Sequence, residues 1–152
     1  MTKEYKTFSG LARAFERNLG ELQGAFAAAM EVGAIAVVGA AREELGHYQR
    51  EDMGPAAPWE ELADVTKADR VRQGYPENDP ELRTGEMRDG IKHQAGPKEF
   101  VVGSEDPVAF YQVMGTPKMP PRDFLSPALH RNIPFILKTI GEAAETTLAG
   151  TK

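Results

Sequence analysis

Apolar residues recur at every third or fourth position through the first third of the chain. This spacing places them on one face of an α-helix. It predicts a helix over residues 8–19, with Ser9 available as its cap, and one long helix over residues 25–48. Gly20 and Gly24 weaken the pattern between them. The apolar positions are Phe8, Leu11, Phe15 and Leu19 in the first helix, and Phe26, Met30, Gly33, Val37, Ala41, Leu45 and Tyr48 in the second.

Residues 50–80 follow neither the helical nor the strand period. Their prolines predict a long, partly irregular connection with one short helical piece around Trp59–Thr66; these prolines are Pro55, Pro58, Pro76 and Pro80. A connection of this length is usually functional or disordered. Its composition suggests that it buries little apolar surface, so the Pro55–Pro80 segment is expected to be mobile in isolated subunits and ordered by neighbouring proteins.

An alternating pattern follows the connection and predicts a β-hairpin. Its strands are expected over residues 90–95 and 99–104, with the turn at Ala95-Gly96-Pro97-Lys98. Just before the hairpin, Thr84 is placed to cap a single helical turn that runs through Arg88. The strand pattern therefore stands between helical segments on both sides.

Asp106-Pro107 has the form of a helix start, a capping residue and then proline, and the short helix should end at Gly115. Three further prolines keep residues 118–125 extended, at a sheet edge at best; they are Pro117, Pro120 and Pro121. Ser126-Pro127 repeats the helix-start pattern, and Pro134 should kink the last helix. Phe124 and Leu125 are interpreted as core residues.

Together these elements predict an α+β fold. A long N-terminal helix and a C-terminal helix pack on a small antiparallel β-sheet, with a long loop in the middle. At 152 residues the chain is expected to form one domain. Its parts are a helical N-terminal part (8–49), an acidic proline-rich connection (50–80) and a C-terminal part (81–148).

Composition restricts the chemistry and the compartment. Apolar residues make up 41% and charged residues 27%, which is ordinary for a soluble protein, and there is no cysteine for disulfides, thiolate catalysis or zinc. The longest uninterrupted apolar run, residues 32–41, is about half of the roughly 20 residues that a membrane span needs. The N-terminus MTKEYKTF lacks a secretory apolar region. The chain is therefore expected to be soluble, cytoplasmic and without a membrane partner.

The net charge of −5 is concentrated in one segment. Residues 51–80 hold eight acidic and three basic residues, so this segment alone accounts for the excess. An acidic chain without a basic stripe is poorly suited to hold DNA phosphates, which argues against a DNA-binding module. An acidic surface would still allow DNA to pass close by, because it repels the phosphates and does not bind them.

Candidate sites for metal or catalysis have little support. Glu44 and His47 form one Glu-x-x-His pair, but di-iron bundles need a second pair and further carboxylates, so a solvated helix end is preferred. His93 and His130 lack zinc-ligand spacing. Phosphate-binding loops, dinucleotide-binding glycines and a Gly-x-Ser-x-Gly elbow are absent from the sequence. No metal site, cofactor or catalytic residue is predicted.

Arg122 and the aromatic pair of α4 remain open to two interpretations, whereas one is preferred for a small basic cluster. Arg122 lies on a segment stiffened by prolines and suits a bidentate partner, either a carboxylate of its own subunit or one across an interface. The basic residues of 67–72 (Lys67, Arg70 and Arg72) are interpreted as a solvated surface paired with acidic neighbours. Phe110 and Tyr111 are core or interface aromatics.

Several sequence blocks, in order, resemble a known family. They are LRTGEMRDGI (82–91), VVGS (101–104), AFYQ followed by GT (109–116) and MPPRDFLSPAL (119–129), preceded by Trp59-Glu60-Glu61-Leu62 and Thr66. Over residues 24–148 the chain is similar to the tail-completion or neck proteins of tailed double-stranded DNA phages, the head–tail joining or virion morphogenesis group. Asp123 departs from the family, which has proline or another uncharged residue there. The first 20 residues match weakly.

The resemblance implies a structural virion protein rather than an enzyme. It would join the head connector to the tail, or complete the head-proximal end of the tail, as a homo-oligomeric ring around the DNA channel. Its partners would be itself, the portal-side connector and tail proteins, with genomic DNA as a passing neighbour; it would be assembled in the host cytoplasm. The alternative is a small metal-dependent hydrolase or other enzyme using Glu43, Glu44 and His47. The implied interface or structural residues are Arg83, Thr84, Gly85, Arg88, Tyr111, Gly115, Thr116, Pro120, Arg122, Phe124 and Leu125.

The acidic connection leads to one further expectation. A channel wall without excess lysine keeps its contact with DNA weak. Part of the acidic segment is therefore predicted to face the channel or the adjoining connector, through Glu60, Glu61, Asp64 and Asp69. The alternative is an outward-facing loop that aids solubility.

Overall fold

A computed structural model describes residues 7–48 and 53–150. These residues form five α-helices and one two-stranded antiparallel sheet, which confirms the predicted α+β fold. In chain order the elements are α1 (Phe8–Glu44), α2 (Asp64–Arg72), α3 (Glu86–Asp89), β1 (Ile91–Ala95), β2 (Phe100–Ser104), α4 (Pro107–Met114) and α5 (Leu125–Gly150).

Helix α1 is continuous where the sequence predicted two helices. A methyl group added at Gly20 or Gly24 would meet nothing within 4 Å. Each glycine therefore weakens the helix by roughly 1 kcal/mol without breaking it. Thr7, rather than Ser9, caps the helix start: its Oγ1 accepts from Gly10 N at 3.1 Å. The helix ends at Glu44, before the predicted Tyr48, and Gly46 turns the chain with φ +90°.

By length and composition alone, α1 could cross a membrane, and it is the one helix in residues 7–48 and 53–150 that could. One third of the stretch concerned is buried, and core helices of soluble proteins meet the same test. The sequence analysis counted only the uninterrupted apolar run at residues 32–41. The apolar part of α1 is longer, because Glu31 is the one charged residue between Ala25 and Ala41.

The predicted hairpin and the start of α4 are confirmed. Strands β1 and β2 pair with each other, and Gly96 N donates to Glu99 O at 2.9 Å across the turn. At the start of α4, Asp106 accepts from Val108 N at 2.8 Å, and Pro107 occupies the first position. Both features depend on neighbours in sequence, which is why local pattern was enough to predict them.

The start of α5 differs from the prediction. Asp123, rather than Ser126, caps the helix: its Oδ1 accepts from Leu125 N and Ser126 N, both at 2.9 Å. The helix therefore begins at Leu125. Pro134 lies inside it. Before it, residues 118–125 are not uniformly extended, because Thr116 and Met119 form an isolated antiparallel bridge with a tight turn between them.

The middle segment contributes more to the core than predicted. Its helix, α2, begins at Asp64, later than the expected Trp59–Thr66 piece. Trp59 and Leu62 are buried, and the indole N–H of Trp59 donates to Asp123 O at 3.3 Å. Most of Pro55–Pro80 is exposed, as expected, and the exceptions are a few buried side chains whose partners lie far away in sequence. That the segment is mobile in isolated subunits stays a prediction.

Contacts group the residues into two compact units. The first comprises α1 through Ala34, Gln94–Val101 and the chain from Pro134. Within it α1 comes close to α5 and β2 at Gly33, where an added Cβ would lie 3.2 Å from Ile136 and 3.5 Å from Phe100.

The second unit comprises Ile35–His93 and Val102–Ile133. Its largest fully buried side chains are Phe124, Ile91, Val37, Pro80 and Pro127. Within this unit Arg42 ties α1 to β1 by donating to Ile91 O at 2.9 Å. That the chain acts as a single domain stays a prediction.

Gly115→Ala is expected to lower the free energy of unfolding by about 1–3 kcal/mol. Gly115 has φ +74° and ψ 173°, a region that is nearly restricted to glycine. An added Cβ would lie 2.9 Å from Pro121 N and 3.1 Å from Met119 O. Gly20→Ala is the matched control and should be neutral or stabilising by up to about 1 kcal/mol. Urea unfolding of both variants checks this, and equal shifts would contradict it.

Candidate functional site

A cavity of about 540 Å³ lies within the second unit. It is built by the stretch before α2, by α2 itself, by residues 81–87, by α4 and by residues 118–122. It brings together seven of the residues that the sequence singled out: Glu60, Glu61, Arg83, Thr84, Gly85, Pro120 and Arg122. Separated blocks of the chain thus meet in one place.

Arg122 lies on the floor of this cavity and is 5% exposed. Its backbone N–H donates to Gln112 O at 2.7 Å, which joins the proline-rich segment to α4. Its Nη2 donates to Glu60 O at 3.1 Å, and its Nη1 lies 3.6 Å from Glu81 Oε1. The carboxylate of its own subunit, one of the two predicted partners, is therefore present. The contact is a single long one rather than a bidentate pair.

Arg70 is a second buried guanidinium at the cavity. Its Nε donates to Pro76 O at 2.7 Å and its Nη2 to Leu82 O at 2.6 Å. These bonds hold the turn between α2 and residue 82. The interpretation of Lys67, Arg70 and Arg72 as a solvated, paired surface holds for Arg72, which is exposed and pairs with Asp69. Lys67 is paired with Glu61, but its side chain is only 16% exposed. The interpretation is wrong for Arg70, which is 4% exposed.

Glu81 is the site residue that the sequence analysis missed. Burial raises the pKa of its carboxyl to about 7, although Arg122 and Arg70 act in the opposite direction. Its backbone has φ +61°, an unusual value for a residue other than glycine. Strained, buried and titratable residues tend to cluster at functional sites. No sequence pattern marks Glu81, since its surroundings come from Arg70 and Arg122, 11 and 41 positions away.

The Arg83-Thr84-Gly85 block forms part of the rim. Arg83 pairs with Asp69 at 3.1 Å and its guanidinium lies 5.7 Å from the centre of the Tyr75 ring. The predicted single turn forms at Glu86–Asp89, but Gly85 rather than Thr84 occupies its cap position. Thr84 Oγ1 accepts only a long hydrogen bond from Glu86 N, at 3.4 Å. Gly85 precedes that turn with φ +88°. Arg88 is half-buried and lies outside the cavity lining, paired with Asp89 at 2.9 Å.

The other predicted structural residues lie outside the cavity. Phe124 is fully buried, as predicted, and Leu125 is half-buried at the start of α5. Gly115 ends α4, and Thr116 forms the bridge with Met119. Tyr111 is 53% exposed, so it is not a core residue.

The four acidic residues predicted for the channel differ in their surroundings. Glu60 and Asp64 are exposed. A hydrogen bond from Lys67, at 2.8 Å, lowers the pKa of Glu61. Hydrogen bonds from Gln73 and Arg72 lower the pKa of Asp69, which also pairs with Arg83. Glu61 and Asp69 therefore hold local structure as well as charge.

The residues of the hydrolase alternative do not form one site. Glu43 and His47 are exposed, whereas Glu44 is buried and paired with Arg131 of α5. The interpretation of Glu44 as part of a solvated helix end is wrong, because α5 covers it. Within residues 7–48 and 53–150 no three histidine, aspartate or glutamate side chains come together as a metal site.

Comparison of the chain with protein families, with characterised proteins and with solved structures found no match.

Proposed function

We propose that this chain is a structural protein of the neck of a tailed phage. As a ring-forming component around the DNA channel, it joins the head connector to the tail or completes the head-proximal end of the tail. The proposal rests on the resemblance of residues 24–148 to that group. It is also supported by an apolar surface on α4 that suits protein–protein contact.

The outward face of α4 is the observation that favours assembly. Phe110, Tyr111 and Met114 are 61%, 53% and 64% exposed, while Ala109 on the opposite side is 4% exposed. The two aromatic rings meet edge to face, 5.8 Å between centroids. Soluble monomers rarely leave large contiguous apolar patches open, and interface cores are enriched in aromatic residues and methionine. This helix therefore has the composition of an interface.

A ring needs two different faces on each subunit, because a face that binds its own copy closes a dimer. The first turns of α1 offer a second exposed apolar set, Phe8, Phe15 and Leu19. The sequence predicted the spacing of these residues correctly, but the described residues of the same chain leave them largely uncovered. Two distinct apolar faces support head-to-tail association of subunits.

Within the same proposal, the exposed Glu60 and Asp64 are the acidic residues best suited to face DNA.

Replacing the α4 face is expected to prevent assembly. A variant with Tyr111→Ser and Met114→Ser removes apolar area from the surface without opening the core, so it should stay folded and become monomeric. Native mass spectrometry and light scattering measure its mass beside wild type. Val65→Ser is the control, since Val65 is 82% exposed on α2 of the same unit. It should assemble like wild type.

The biological test uses the phage genome that encodes the chain. Without the gene, we expect DNA-filled heads and separate tails, and wild-type protein supplied in trans should restore joined particles. The Tyr111/Met114 variant should fail to restore them, whereas Val65→Ser should succeed. Normal joined particles without the chain would contradict the proposed function. A wild-type protein that is monomeric both in solution and in the particle would contradict the ring.

A further inference from the structure

Two helices of the first unit each carry an apolar stripe, and the two stripes have the same spacing. The stripe of α1 ends in Phe8 and Leu19, and that of α5 in Leu137 and Leu148; all four side chains are more than half exposed. Each pair of ends is eleven residues apart, which is about three helical turns and about 16 Å. The positions between the ends match as well: the α1 stripe is Phe8, Ala12, Phe15 and Leu19, and the α5 stripe is Leu137, Gly141, Ala144 and Leu148.

The two stripes are complementary in size when they run in opposite directions. The exposed Phe15 then lies opposite Gly141, where an added Cβ would meet nothing within 4 Å. Ala12 lies opposite Ala144, and at each end a large apolar side chain lies opposite a leucine. Helices pack well when the large side chains of one fill gaps on the other. An aromatic ring opposite an open glycine meets this condition.

The charged residues beside the stripes favour the same direction. In an antiparallel pair they lie along one common flank, whereas in a parallel pair they would lie on opposite flanks. Lys138 of α5 then lies within one turn of Glu16 of α1, and Glu142 and Glu145 lie within one turn of Arg13. Glu142 also comes near Glu16, but it already pairs with Lys138 at 3.8 Å. The remaining charged residues in this part of α1 are on the opposite side of the helix; they are Arg17 and Glu21.

The two stripes do not meet within one chain. An added Cβ at Gly33 of α1 would lie 3.2 Å from Ile136 of α5. Glu44, later in α1, pairs with Arg131, earlier in α5, so the two helices run in opposite directions. At a rise of about 1.5 Å per residue, each position of the α5 stripe lies about 13 residues, or roughly 20 Å, from its match on the α1 of the same chain. The matching stripe therefore belongs to another copy.

We propose that the α1 stripe of one copy packs antiparallel on the α5 stripe of a second copy, with Phe15 opposite Gly141. The contact joins two different surfaces, so each copy binds one neighbour through α1 and another through α5, as a ring requires. This inference rests on the self-assembly in the proposed function and names one part of the interface between subunits; the α4 face supplies another part. It does not depend on a role in a phage neck.

Cysteine cross-linking tests the contact, because the chain has no cysteine of its own. Full-length protein with Ala12→Cys and Ala144→Cys keeps every large side chain of both stripes. It is treated with a bis-maleimide whose reach matches the roughly 8–10 Å between packed helices. We expect a ladder of covalent oligomers on a denaturing gel. In the control, Gly20→Cys replaces Ala12→Cys; Gly20 is exposed on another side of α1, so the ladder should be absent.

Charge reversal tests the direction of the pairing. Glu16→Lys and Lys138→Glu each bring like charges together, so each should weaken association about fivefold in analytical ultracentrifugation. The double variant carries the same pair with its signs exchanged and should return to within about twofold of wild type. Arg17→Glu is the control, because it makes the same change of charge as Lys138→Glu on the opposite side of α1. It should associate like wild type.

The outcomes separate this contact from the proposed function. If the ring forms in native mass spectrometry but the cysteine pair gives no ladder, the contact is overturned and the function stands. The contact also fails if Ala12→Cys alone cross-links equally well, since α1 would then pair with α1, or if the double charge reversal associates no better than the single ones. A ladder from a protein that heads and tails do not need for joining would refute the phage function and leave the contact in place. A wild-type protein that stays monomeric overturns the contact together with the ring.

Discussion

Phe124→Ala is expected to lower the free energy of unfolding by about 3–5 kcal/mol. Phe124 is fully buried in the second unit, between the proline-rich segment and α5. The substitution loses the burial of an aromatic ring and leaves a cavity that the surroundings only partly fill. Typical domains are stable by about 5–15 kcal/mol, so a large share of the total would be lost.

Phe110→Ala is the matched control for this prediction. It makes the same chemical change in the same unit, but Phe110 is 61% exposed on α4. Both variants are measured as monomers, so that the proposed α4 interface does not contribute to the free energy of unfolding. Its free energy of unfolding should stay within about 0.5 kcal/mol of wild type. Denaturant unfolding of the two variants side by side measures the difference. If Phe124→Ala melts within a degree or two of wild type, the ring does not support the core.

Phe124 could be predicted because its sequence neighbours already restrict it. Pro120 and Pro121 fix the direction of the chain before it, and a helix start follows it. The same reasoning gave the hairpin, the Asp106-Pro107 start of α4 and its end at Gly115. In each case the decisive contacts lie within a few residues, so the pattern contains the information.

The sequence-based predictions failed where a residue distant in the sequence determines whether a side chain is buried. Glu44 is expected to be solvated from its helix position alone, but Arg131, 87 residues away, pairs with it. Trp59 belongs to a segment of loop composition, yet Asp123 O receives its indole N–H. Gly20 and Gly24 lower helix propensity without ending α1. Helix propensity and composition are properties of a single segment. The burial of its side chains depends on which other elements pack against it.

The candidate site was predicted only in part for the same reason. Arg122 was predictable, since prolines hold a guanidinium on a stiff segment. Its neighbours Arg70 and Glu81 come from α2 and from the turn after it, and Arg70 looked like one member of a solvated basic cluster. Arg70, Glu81 and Arg122 come together only through tertiary contacts, which the pattern of a single sequence does not reveal.

Glu81→Gln is expected to stabilise the protein increasingly as the pH rises. Burial raises the pKa of Glu81 from its usual 4.5 to about 7. The folded carboxyl thus holds its proton more tightly than the unfolded one. This group's contribution to stability is complete below pH 4.5 and is lost as the pH rises towards about 7. Glutamine has nearly the same shape and does not ionise, so the variant should lack this loss.

The size of the effect follows from the pKa shift. One pKa unit corresponds to about 1.4 kcal/mol, so the wild-type protein should lose on the order of 3 kcal/mol relative to Glu81→Gln between pH 4 and pH 8. Denaturant unfolding at several pH values measures this difference. Glu77→Gln, at an exposed position of the same segment, is the control and should follow wild type. If the Glu81→Gln and wild-type curves stay parallel across this range, the Glu81 carboxyl is not held neutral by burial beside Arg70 and Arg122.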